Sequence, residues 1–521
     1  MAEYLHPGVY IEEIERGPRP IEGVPTSTAA FLGEAERGPV TPTLVTSYKE
    51  YQRWFGDVFD QSKYLPYAAS GFFENGGRRV FICRIVGAGA AQAEAAFGDA
   101  FRVRAVGPGS FGNRVFAKIG PSTTTDAHKN PVGFRLQLAY CPGAVPDDPF
   151  SADGRRKTTL IEDFDDLVAN ESSPDYYGKR VPFIDAAKGE ANQGPDSSAL
   201  AVLVRNDGAD PTAMPSNGAT VLAGGQDGPS AINVADYQGK VDDTRRLEQG
   251  LAALQRDAYR DVALVYAPAV DKDTEIAIIT HCENLRFRFA VIDAPKGQSN
   301  AGNLDPRTQI TDTEYASFYY PWIVASDPKS AARKLVPPGG YVLGVYARSD
   351  NERGVFKAPA NEVVRGALAL EYEITDQIQD TLNPRGVNAI RSFPGRGIRI
   401  WGARTMSSNA LWKYTSVRRL FIFLERSIYE GTQWVVFEPN DDKLWARVID
   451  TIRLFLRSQW RLGALFGRTE QEAFFITCDR TTMTQDDILN GRLICEIGIA
   501  PVRPAEFVVF RIFQNTAEAQ R

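Results

Sequence analysis

Two patterns of apolar residues divide the chain into regions of different predicted architecture. Val262–Tyr266 and Phe289–Asp293 are apolar almost throughout, and a segment with helical periodicity, Asp273–Leu285, separates them. Strands that are buried on both faces and linked by helices are typical of a parallel sheet with helices on its two sides. Val80–Val86 has the same character nearer the N-terminus. We therefore predict α/β structure on both sides of a different middle region.

The region between them, residues 88–215, follows a period of two. Val115–Ile119 and Phe134–Leu138 alternate apolar and polar residues, as strands with one solvated face do. Turn-forming residues are frequent there and helical periodicity is scarce. This pattern predicts a β-rich domain, and we interpret its acidic run, Glu162–Asp166, as the exposed start of a helix.

Two helices are predicted in the C-terminal part of the chain. One begins at Asn361, and the other is a long amphipathic helix, Asp441–Leu462, capped by Asn440. At 100° per residue, five basic residues of the long helix fall within an arc of about 120° opposite its apolar side. This group, called the basic stripe below, consists of Lys443, Arg447, Arg453, Arg457 and Arg461. It is either a contact surface or a solvated face.

Both ends of the chain carry strand-forming segments without a hairpin partner. These are Val9–Ile14, with proline and glycine on both sides, and Phe507–Phe513. Gly17, Pro18 and Pro20 form a predicted hinge between the first strand and the body. Because an unpaired strand promotes pairing with another chain, two such segments favour head-to-tail assembly into rings or open helices.

Charge and composition exclude several classes of protein. Lys and Arg number 59 and Asp and Glu 65, and this net charge of −6 argues against a general nucleic-acid binder. Residues 385–426 are locally basic and carry Trp401, Trp412 and Tyr414, which allows nucleic-acid binding. Contact with an acidic protein surface, or arginines packed on aromatic rings in a core, is the favoured interpretation. We expect no signal peptide and no membrane span.

Candidate catalytic and ligand-binding motifs are weak. Gly107–Gly112 has GxGxxG spacing, but a strand pattern follows it where a dinucleotide site needs a helix, so we predict a structural turn. Three histidines stand outside any nucleophile motif, and five cysteines without a CxxC pair are typical of a reduced protein made in the cytosol. We predict no catalytic, cofactor-binding or metal-binding residue.

Several short segments occur in the order that one protein family shows. With them the chain resembles the contractile tail sheath family of phage tails and related injection systems, nearly from end to end and least over residues 120–215. The segments are Tyr4–Glu13, Phe72–Gly77, Gly107–Asn113, Leu222–Gly228, Tyr319–Ile323, Val336–Gly340, Gly354–Asn361, Asn383–Asn388 and Gly402–Thr405.

The resemblance implies an α/β and α+β multidomain tail-sheath fold. Its middle α/β domain would be subtilisin-like but without protease activity, because no His-Gly-Thr or Gly-Thr-Ser-Met stretch is present. The predicted parts are an N-terminal extended arm (1–20), an N-terminal α/β part of the sheath body (21–87), a β-rich outer domain (88–215), the subtilisin-like domain (216–382), a C-terminal α+β domain (383–505) and a C-terminal strand arm (506–521).

The same resemblance implies a structural subunit without enzymatic activity. Subunits would stack as rings of six around an inner tube and contract from a metastable extended state to drive the tube through a target envelope. Expected partners are other copies of the chain, the inner tube protein and baseplate and tail-terminator proteins, with no direct nucleic-acid contact and no membrane insertion. The basic stripe would touch the tube. The residues expected in the inter-subunit arms are Val9, Tyr10, Ile11, Glu12, Phe507, Val508, Val509, Phe510 and Ile512.

The expected location follows from this role. The protein would be made and assembled in the cytoplasm and then become part of a phage tail or an injection particle. Two other interpretations stay open from the sequence: a non-contractile baseplate or adhesin component, and an α/β hydrolase.

Overall fold

The fold is described from a computed structural model of the chain, over residues 20–181, 184–185, 190–191, 197–228, 231–239 and 249–511. The chain divides into two compact units. The larger unit is residues 25–419, and the C-terminal unit joins residues 420 onwards with the segment that ends at Val24.

The described residues form strands that are numbered here in chain order. They are β1 (Ala29–Gly33), β2 (Thr43–Val45), β3 (Val80–Arg84), β4 (Glu94–Ala96), β5 (Phe101–Ala105), β6 (Val115–Pro121), β7 (Phe134–Tyr140), β8 (Leu160–Leu167), β9 (Ile184–Asp185), β10 (Glu190–Ala191), β11 (Ala201–Arg205), β12 (Gly218–Val221), β13 (Leu264–Tyr266), β14 (Phe289–Asp293), β15 (Ala316–Tyr320), β16 (Ile323–Ser326), β17 (Arg333–Val336), β18 (Glu362–Val363), β19 (Ala367–Leu370), β20 (Val387–Phe393), β21 (Gly397–Ile400), β22 (Phe474–Thr477) and β23 (Glu496–Ile499).

The α-helices of the described residues are numbered in the same way. They are α1 (Tyr48–Phe55), α2 (Leu65–Glu74), α3 (Ala152–Arg155), α4 (Tyr177–Arg180), α5 (Val234–Gln238), α6 (Gly250–Ala253), α7 (Lys272–Leu285), α8 (Pro306–Gln309), α9 (Gly339–Arg353), α10 (Asp376–Leu382), α11 (Thr415–Gly431), α12 (Asp442–Arg461), α13 (Glu470–Ala473) and α14 (Gln485–Leu489).

A nine-stranded sheet organises the larger unit, in the order β18-β21-β20-β15-β14-β13-β1-β3-β2. The six strands from β20 to β3 run parallel to one another. Every residue of β1, β3, β13, β14 and β15 is buried. The prediction of a parallel sheet from continuous apolar strands is therefore confirmed.

Side chains of β1 alternate between the two covered faces of this sheet. Ala30 and Leu32 belong to one core with Ile278 and Ile279 of α7. Phe31 points to the opposite face, where its ring lies 5.2 Å from that of Phe72 in α2. Helices therefore exclude water from both faces, which is why the strands need no polar residues.

The sheet joins stretches of chain that the sequence prediction assigns to three domains. β1–β3 lie in 21–87, β13–β15 in 216–382, and β20 and β21 in 383–505. Parallel pairing links residues far apart in sequence, such as Ala29 with Leu264 and Phe318 with Val387. The compact units accordingly separate at residue 419 and not at residue 383.

The predicted helix from Asn361 is wrong. The chain forms β18 and β19 there, and a helix is present only at α10. Asn361 and Gly366 have left-handed backbone conformations, with φ of 58° and 78°, which interrupt a right-handed helix.

One of the helices that the sequence prediction missed is α9, which begins in a glycine-rich segment. A Cβ on Gly340 would lie 2.5 Å from Ala68 Cα, and a Cβ on Gly344 would lie 2.5 Å from the Phe72 carbonyl oxygen. These glycines let α9 approach α2 closely. Tertiary packing therefore overrides the weak helix propensity of glycine.

The described residues between 88 and 222 are β-rich, as predicted for residues 88–215, with antiparallel sheets of order β11-β5-β4 and β12-β6-β7-β8 around one apolar core. The acidic run is not a helix start, because Glu162–Asp166 lies within β8. Glu162 is buried and accepts hydrogen bonds from Ser198 Oγ at 2.5 Å and from the Ala199 N–H at 2.8 Å.

The locally basic segment, residues 385–426, contributes arginines to the interior of the larger unit. The Arg418 guanidinium lies 4.5 Å from the ring centre of Trp412 and 4.9 Å from that of Tyr315. Arg419 is buried against Asp350 and Tyr346. These contacts confirm arginines packed on aromatic rings.

Several of the segments that resemble the family form hydrogen bonds between elements of the larger unit. Asn113 and Gly225 exchange two hydrogen bonds of 2.8 Å, which ties the GxGxxG turn to the Leu222–Gly228 segment. Buried Asn388 accepts from the Arg404 N–H at 2.7 Å and donates to the Arg404 carbonyl at 2.8 Å. A strand, β6, follows the GxGxxG turn after a single 3-10 turn, as predicted.

Candidate assembly surface of the C-terminal unit

The long predicted helix is present as α12, and its N-cap lies one residue later than predicted. Asp441 is the N-cap and accepts from the Leu444 N–H at 2.8 Å. Asn440 instead accepts from the Trp445 indole N–H at 2.8 Å. The apolar side of α12 is buried through Leu444, Trp445, Val448, Thr451, Ile452, Phe455 and Leu456.

Three members of the basic stripe are paired with carboxylates of their own unit. Arg457 contacts both oxygens of Glu470, at 2.6 and 3.2 Å, and holds the pKa of that carboxyl below its ordinary value. Arg453 lies 3.2 Å from Asp450 and 3.8 Å from Glu470, and Arg447 lies 2.9 Å from Glu438. Lys443 and Arg461 are exposed. The outward charge of the stripe is therefore concentrated at its two ends.

A two-stranded antiparallel sheet, β22 with β23, lies beyond α12 in the chain. Its register pairs Phe474 with Ile499 and Thr477 with Glu496. Among the described residues no third strand pairs with either outer edge. Phe475 is exposed on this sheet. Open edges of this kind offer backbone N–H and C=O groups to a strand from another chain.

The C-terminal segment is apolar and exposed. Phe507, Val508, Val509 and Phe510 are 72%, 67%, 77% and 85% exposed. Residues 507–511 belong to neither a helix nor a strand, so the predicted C-terminal strand has no partner in its own chain over the part that is described. Ile512 lies outside the described residues.

The described part of the N-terminal segment packs on this unit. Ile21 is buried and packs on Gly431, and the Val24 N–H donates to Ser427 Oγ at 3.2 Å. Pro20 is exposed. The other hinge residues, Gly17 and Pro18, and the predicted strand residues Val9, Tyr10, Ile11 and Glu12 lie outside the described residues.

Further apolar side chains of this unit face solvent, namely Val436, Phe437, Leu462, Phe466 and Leu489. In the described part of the chain no group of three or more His, Cys, Asp or Glu side chains is arranged to hold a metal ion. Within the same residues, no helix has both the length and the apolar character needed to cross a bilayer. The geometry supports protein–protein contact through backbone edges and apolar side chains.

Sequence reasoning missed the β22–β23 sheet. A signal was present, because Phe474–Thr477 and Glu496–Ile499 are rich in β-branched and aromatic residues. The short length of both segments and the 18 residues between them hide the pairing.

The chain matches two profiles of one family. Residues 235–406 match the phage tail sheath protein central domain, and residues 407–515 match the phage tail sheath C-terminal domain. Together these matches cover more than half of the sequence. The class of protein is therefore a structural protein that assembles with other copies. The chain is a member of the phage tail sheath family.

Individual relatives are distant in sequence. The tail sheath protein of Burkholderia phage BcepMu is 24% identical over 306 residues, which is 54% of this chain and 62% of that protein. The tail sheath protein of Vibrio phage KVP40 is 24% identical over 44% of this chain and 33% of its own length. A putative prophage major tail sheath protein of Pseudomonas aeruginosa UCBPP-PA14 is 24% identical over 64% of this chain and 78% of its own length. The chain therefore spans less than two thirds of the first two relatives.

Solved structures share the fold over nearly the whole chain. The sheath complex of the extracellular contractile injection system PVC, in its contracted state, has a TM-score of 0.58 at 22% identity and covers 100% of both chains. The contracted helical sheath of the anti-feeding prophage has a TM-score of 0.58 at 22% identity, covering 98% and 100%. The sheath tail protein of Listeria innocua has a TM-score of 0.55 at 11% identity, covering 93% and 96%. The mixed α/β multidomain architecture is that of sheath proteins.

Proposed function

We propose that this chain is the structural subunit of a contractile sheath and acts without enzymatic chemistry. Copies polymerise by strand donation into stacked rings, six to a ring, around an inner tube. The sheath then contracts from a metastable extended state and drives the tube through a target envelope. Baseplate and terminator proteins cap its two ends, and the particle assembles in the cytoplasm.

One observation carries this proposal: the C-terminal unit has both an unpaired apolar segment and a sheet with open edges. Phe507–Phe510 provide a donor, and β22 and β23 provide acceptor edges. Different surfaces on one subunit make a heterologous contact, which repeats into a ring or a helix. Membership of the tail sheath family and likeness to contracted sheaths support the same assembly.

Burial of apolar side chains contributes favourable free energy to such a contact. Burying one Val or Phe side chain contributes roughly 1.5–3 kcal/mol. Two buried residues per donated segment, added to the backbone hydrogen bonds of a new strand pair, offset part of the cost of association. The N-terminal segment 9–14 is the proposed second donor, and residues 17–20 its hinge.

The remaining parts have structural roles in this proposal. The α/β part with the parallel sheet is a subtilisin-like fold without a catalytic site. The β-rich part is the outer domain. The basic stripe on α12 faces the inner tube, mainly through Lys443 and Arg461, because the three arginines between them are paired within the unit.

Negative-stain microscopy of the purified chain tests the assembly. We expect tubes or stacked rings from the full chain and dispersed, folded particles after deletion of residues 1–15. Tubes from the deletion variant contradict N-terminal strand donation. Absence of any assembly by the full chain, under conditions that assemble other sheaths, contradicts the proposed function and favours a baseplate or adhesin role.

A substitution in the C-terminal segment provides a matched control. Val508→Pro removes a backbone N–H and fixes φ, so it blocks strand pairing without changing a buried residue. Val508→Ala leaves the backbone intact. We expect both variants to melt at the temperature of the original chain, and only Val508→Pro to prevent tube formation. Equal assembly by both variants contradicts C-terminal donation.

A further inference from the structure

Two free cysteines flank the β22–β23 sheet of the C-terminal unit. Cys478 directly follows the last residue of β22, and Cys495 directly precedes the first residue of β23. The register pairs Phe474 with Ile499 and continues to Thr477 with Glu496. Continued by one step, it places Cys478 opposite Cys495.

Opposite positions in an antiparallel pair are spaced within the range that a disulfide spans. Residues directly opposite each other in an antiparallel pair have Cα atoms about 4.5–5.5 Å apart. Disulfides require Cα atoms about 4.4–6.8 Å apart and Cβ atoms that point toward each other. Each thiol shifts the pKa of the other, which is consistent with two side chains that lie close together.

The chain between the two cysteines is held by its own local bonds. Thr484 and Asp487 form a capping box at the start of α14. Arg492 Nε lies 2.9 Å from Asp487 Oδ1, and this ion pair links α14 to the segment that leads into β23. The pair is therefore held in place without a covalent bond.

The two thiols differ in access. Cys478 is 2% exposed, whereas Cys495 is partly exposed. Burial, and next the neighbouring Cys478, raise the pKa of Cys495 to about 12. Burial also raises the pKa of Cys478, and the nearby Asp479 carboxylate adds to this effect. Since the thiolate is the attacking species, both thiols react slowly at neutral pH.

We propose that Cys478 and Cys495 form an intrachain disulfide when the protein meets an oxidising medium containing a low-molecular-weight disulfide, and that this bond ties the ends of β22 and β23. The Cys495 thiolate attacks one sulfur of the small disulfide, forms a mixed disulfide and releases one thiolate. The Cys478 thiolate then attacks the Cys495 sulfur and releases the second. The two protein thiols lose two protons and two electrons, and the small disulfide becomes two thiols.

The inference concerns a single chain and does not depend on the sheath assignment. The other cysteines, Cys83, Cys141 and Cys282, are buried side chains of the larger unit. A disulfide between Cys478 and Cys495 closes a short loop and removes conformations from the unfolded C-terminal unit, which stabilises the folded unit. It would make the proposed acceptor sheet more resistant to unfolding after release from a reducing cytosol.

The test uses the full chain incubated with oxidised glutathione at pH 8.5 to 9, followed by alkylation of remaining thiols after unfolding. We expect the number of alkylated cysteines to fall from five to three, with one linked peptide pair containing Cys478 and Cys495. The rate should rise about tenfold per pH unit below the thiol pKa. Five alkylated cysteines after prolonged incubation, linkage of other cysteines, or covalent dimers on a non-reducing gel overturn the proposal.

Single variants distinguish the attack of Cys495 on the small disulfide from the later attack of Cys478 on the mixed disulfide. Cys478→Ser should retain one glutathione on Cys495, and Cys495→Ser should retain none on Cys478, because Cys478 is buried. Cys282→Ser is the matched control and should still form the bond. The melting temperature of the C-terminal unit should be higher after oxidation in the original chain and in Cys282→Ser, and unchanged in the other two. Melting of the reduced variants checks that each is folded.

Discussion

Arg419 and Asp350 show how a single pair of residues stabilises the larger unit. Each side chain is 3% exposed, and the guanidinium contacts both carboxylate oxygens, at 2.5 and 3.0 Å. Asp350 also accepts from Thr26 Oγ1 at 2.7 Å. Removing one partner leaves a buried charge without compensation, which typically costs about 3–5 kcal/mol.

We therefore expect Asp350→Ala to lower the free energy of unfolding of the larger unit by about 3–5 kcal/mol, measured by denaturant unfolding. Arg135 and Asp163 are the control, because they form a similar two-point contact at 2.8 and 2.5 Å on an exposed surface. Asp163→Ala should cost less than about 1 kcal/mol. Similar losses for the two variants would show that burial does not determine the effect.

Asp293 gives the larger unit a pH dependence. Its carboxyl is buried, and it accepts from the Gly339 N–H at the start of α9 at 2.8 Å and from the Tyr266 hydroxyl at 2.5 Å. Burial raises the pKa of Asp293 to about 7, although both hydrogen bonds act to lower it. The folded state therefore holds a proton that the unfolded state releases near pH 4, where an ordinary Asp titrates.

Because the folded state binds more protons between about pH 4 and pH 7, its stability should fall as pH rises through this window. The slope contributed by this one group is at most about 1.4 kcal/mol per pH unit. Asp293→Asn should flatten the dependence of the unfolding free energy on pH. Asp147→Asn, on an exposed loop, should leave it unchanged. Rising stability across the window in the original chain would contradict the raised pKa.

At the level of elements, the sequence is informative where burial alone dictates composition. The buried strands β3, β13 and β14 were found because a strand covered on both faces admits few polar residues. α9 was missed because its glycines serve contact with α2 and weaken its own helical signal. The helix predicted at Asn361 was wrong because left-handed residues there follow from neighbours distant in sequence.

The basic stripe of α12 carries a prediction at this scale. Lys443 and Arg461 are exposed, so charge reversal there changes the outer surface of the helix and little else. If the stripe attracts an acidic inner tube, Lys443→Glu with Arg461→Glu should release the tube at lower salt than the original sheath does, because salt screens exposed charges. Sedimentation of tube and sheath at increasing salt measures this.

A control tests whether the effect of charge reversal on tube release is specific to the basic stripe. Lys129→Glu with Lys157→Glu makes the same change of charge on exposed residues of the β-rich part and should leave the salt dependence unchanged. Arg457→Glu is a poor probe, because it would place a carboxylate against Glu470 and disturb the unit itself. Equal salt dependence for the reversal variant and the original sheath would exclude the stripe from the tube contact.

At the scale of the whole molecule, the candidate assembly surface was only partly predictable. The apolar C-terminal segment is visible in the sequence because Phe507–Phe510 form an uninterrupted apolar run without a hairpin partner. The ion pairs of Arg447 with Glu438 and of Arg457 with Glu470 were not visible, since these two carboxylates lie off the helix. The acceptor sheet requires two short segments to meet, and local patterns do not report such pairings.

The energy source of the proposed contraction is a property of the assembled molecule. The sequence has no Walker A motif, and we infer that assembly itself leaves the extended sheath in a kinetically trapped state, above the contracted state in free energy. Scanning calorimetry of extended particles in nucleotide-free buffer should then show one irreversible exothermic event, whose temperature rises with scan rate. Added ATP should not move that temperature, and microscopy of the heated sample should show contracted sheaths. A requirement for ATP would contradict stored conformational energy, whereas an endothermic event without contracted particles would show unfolding in place of contraction.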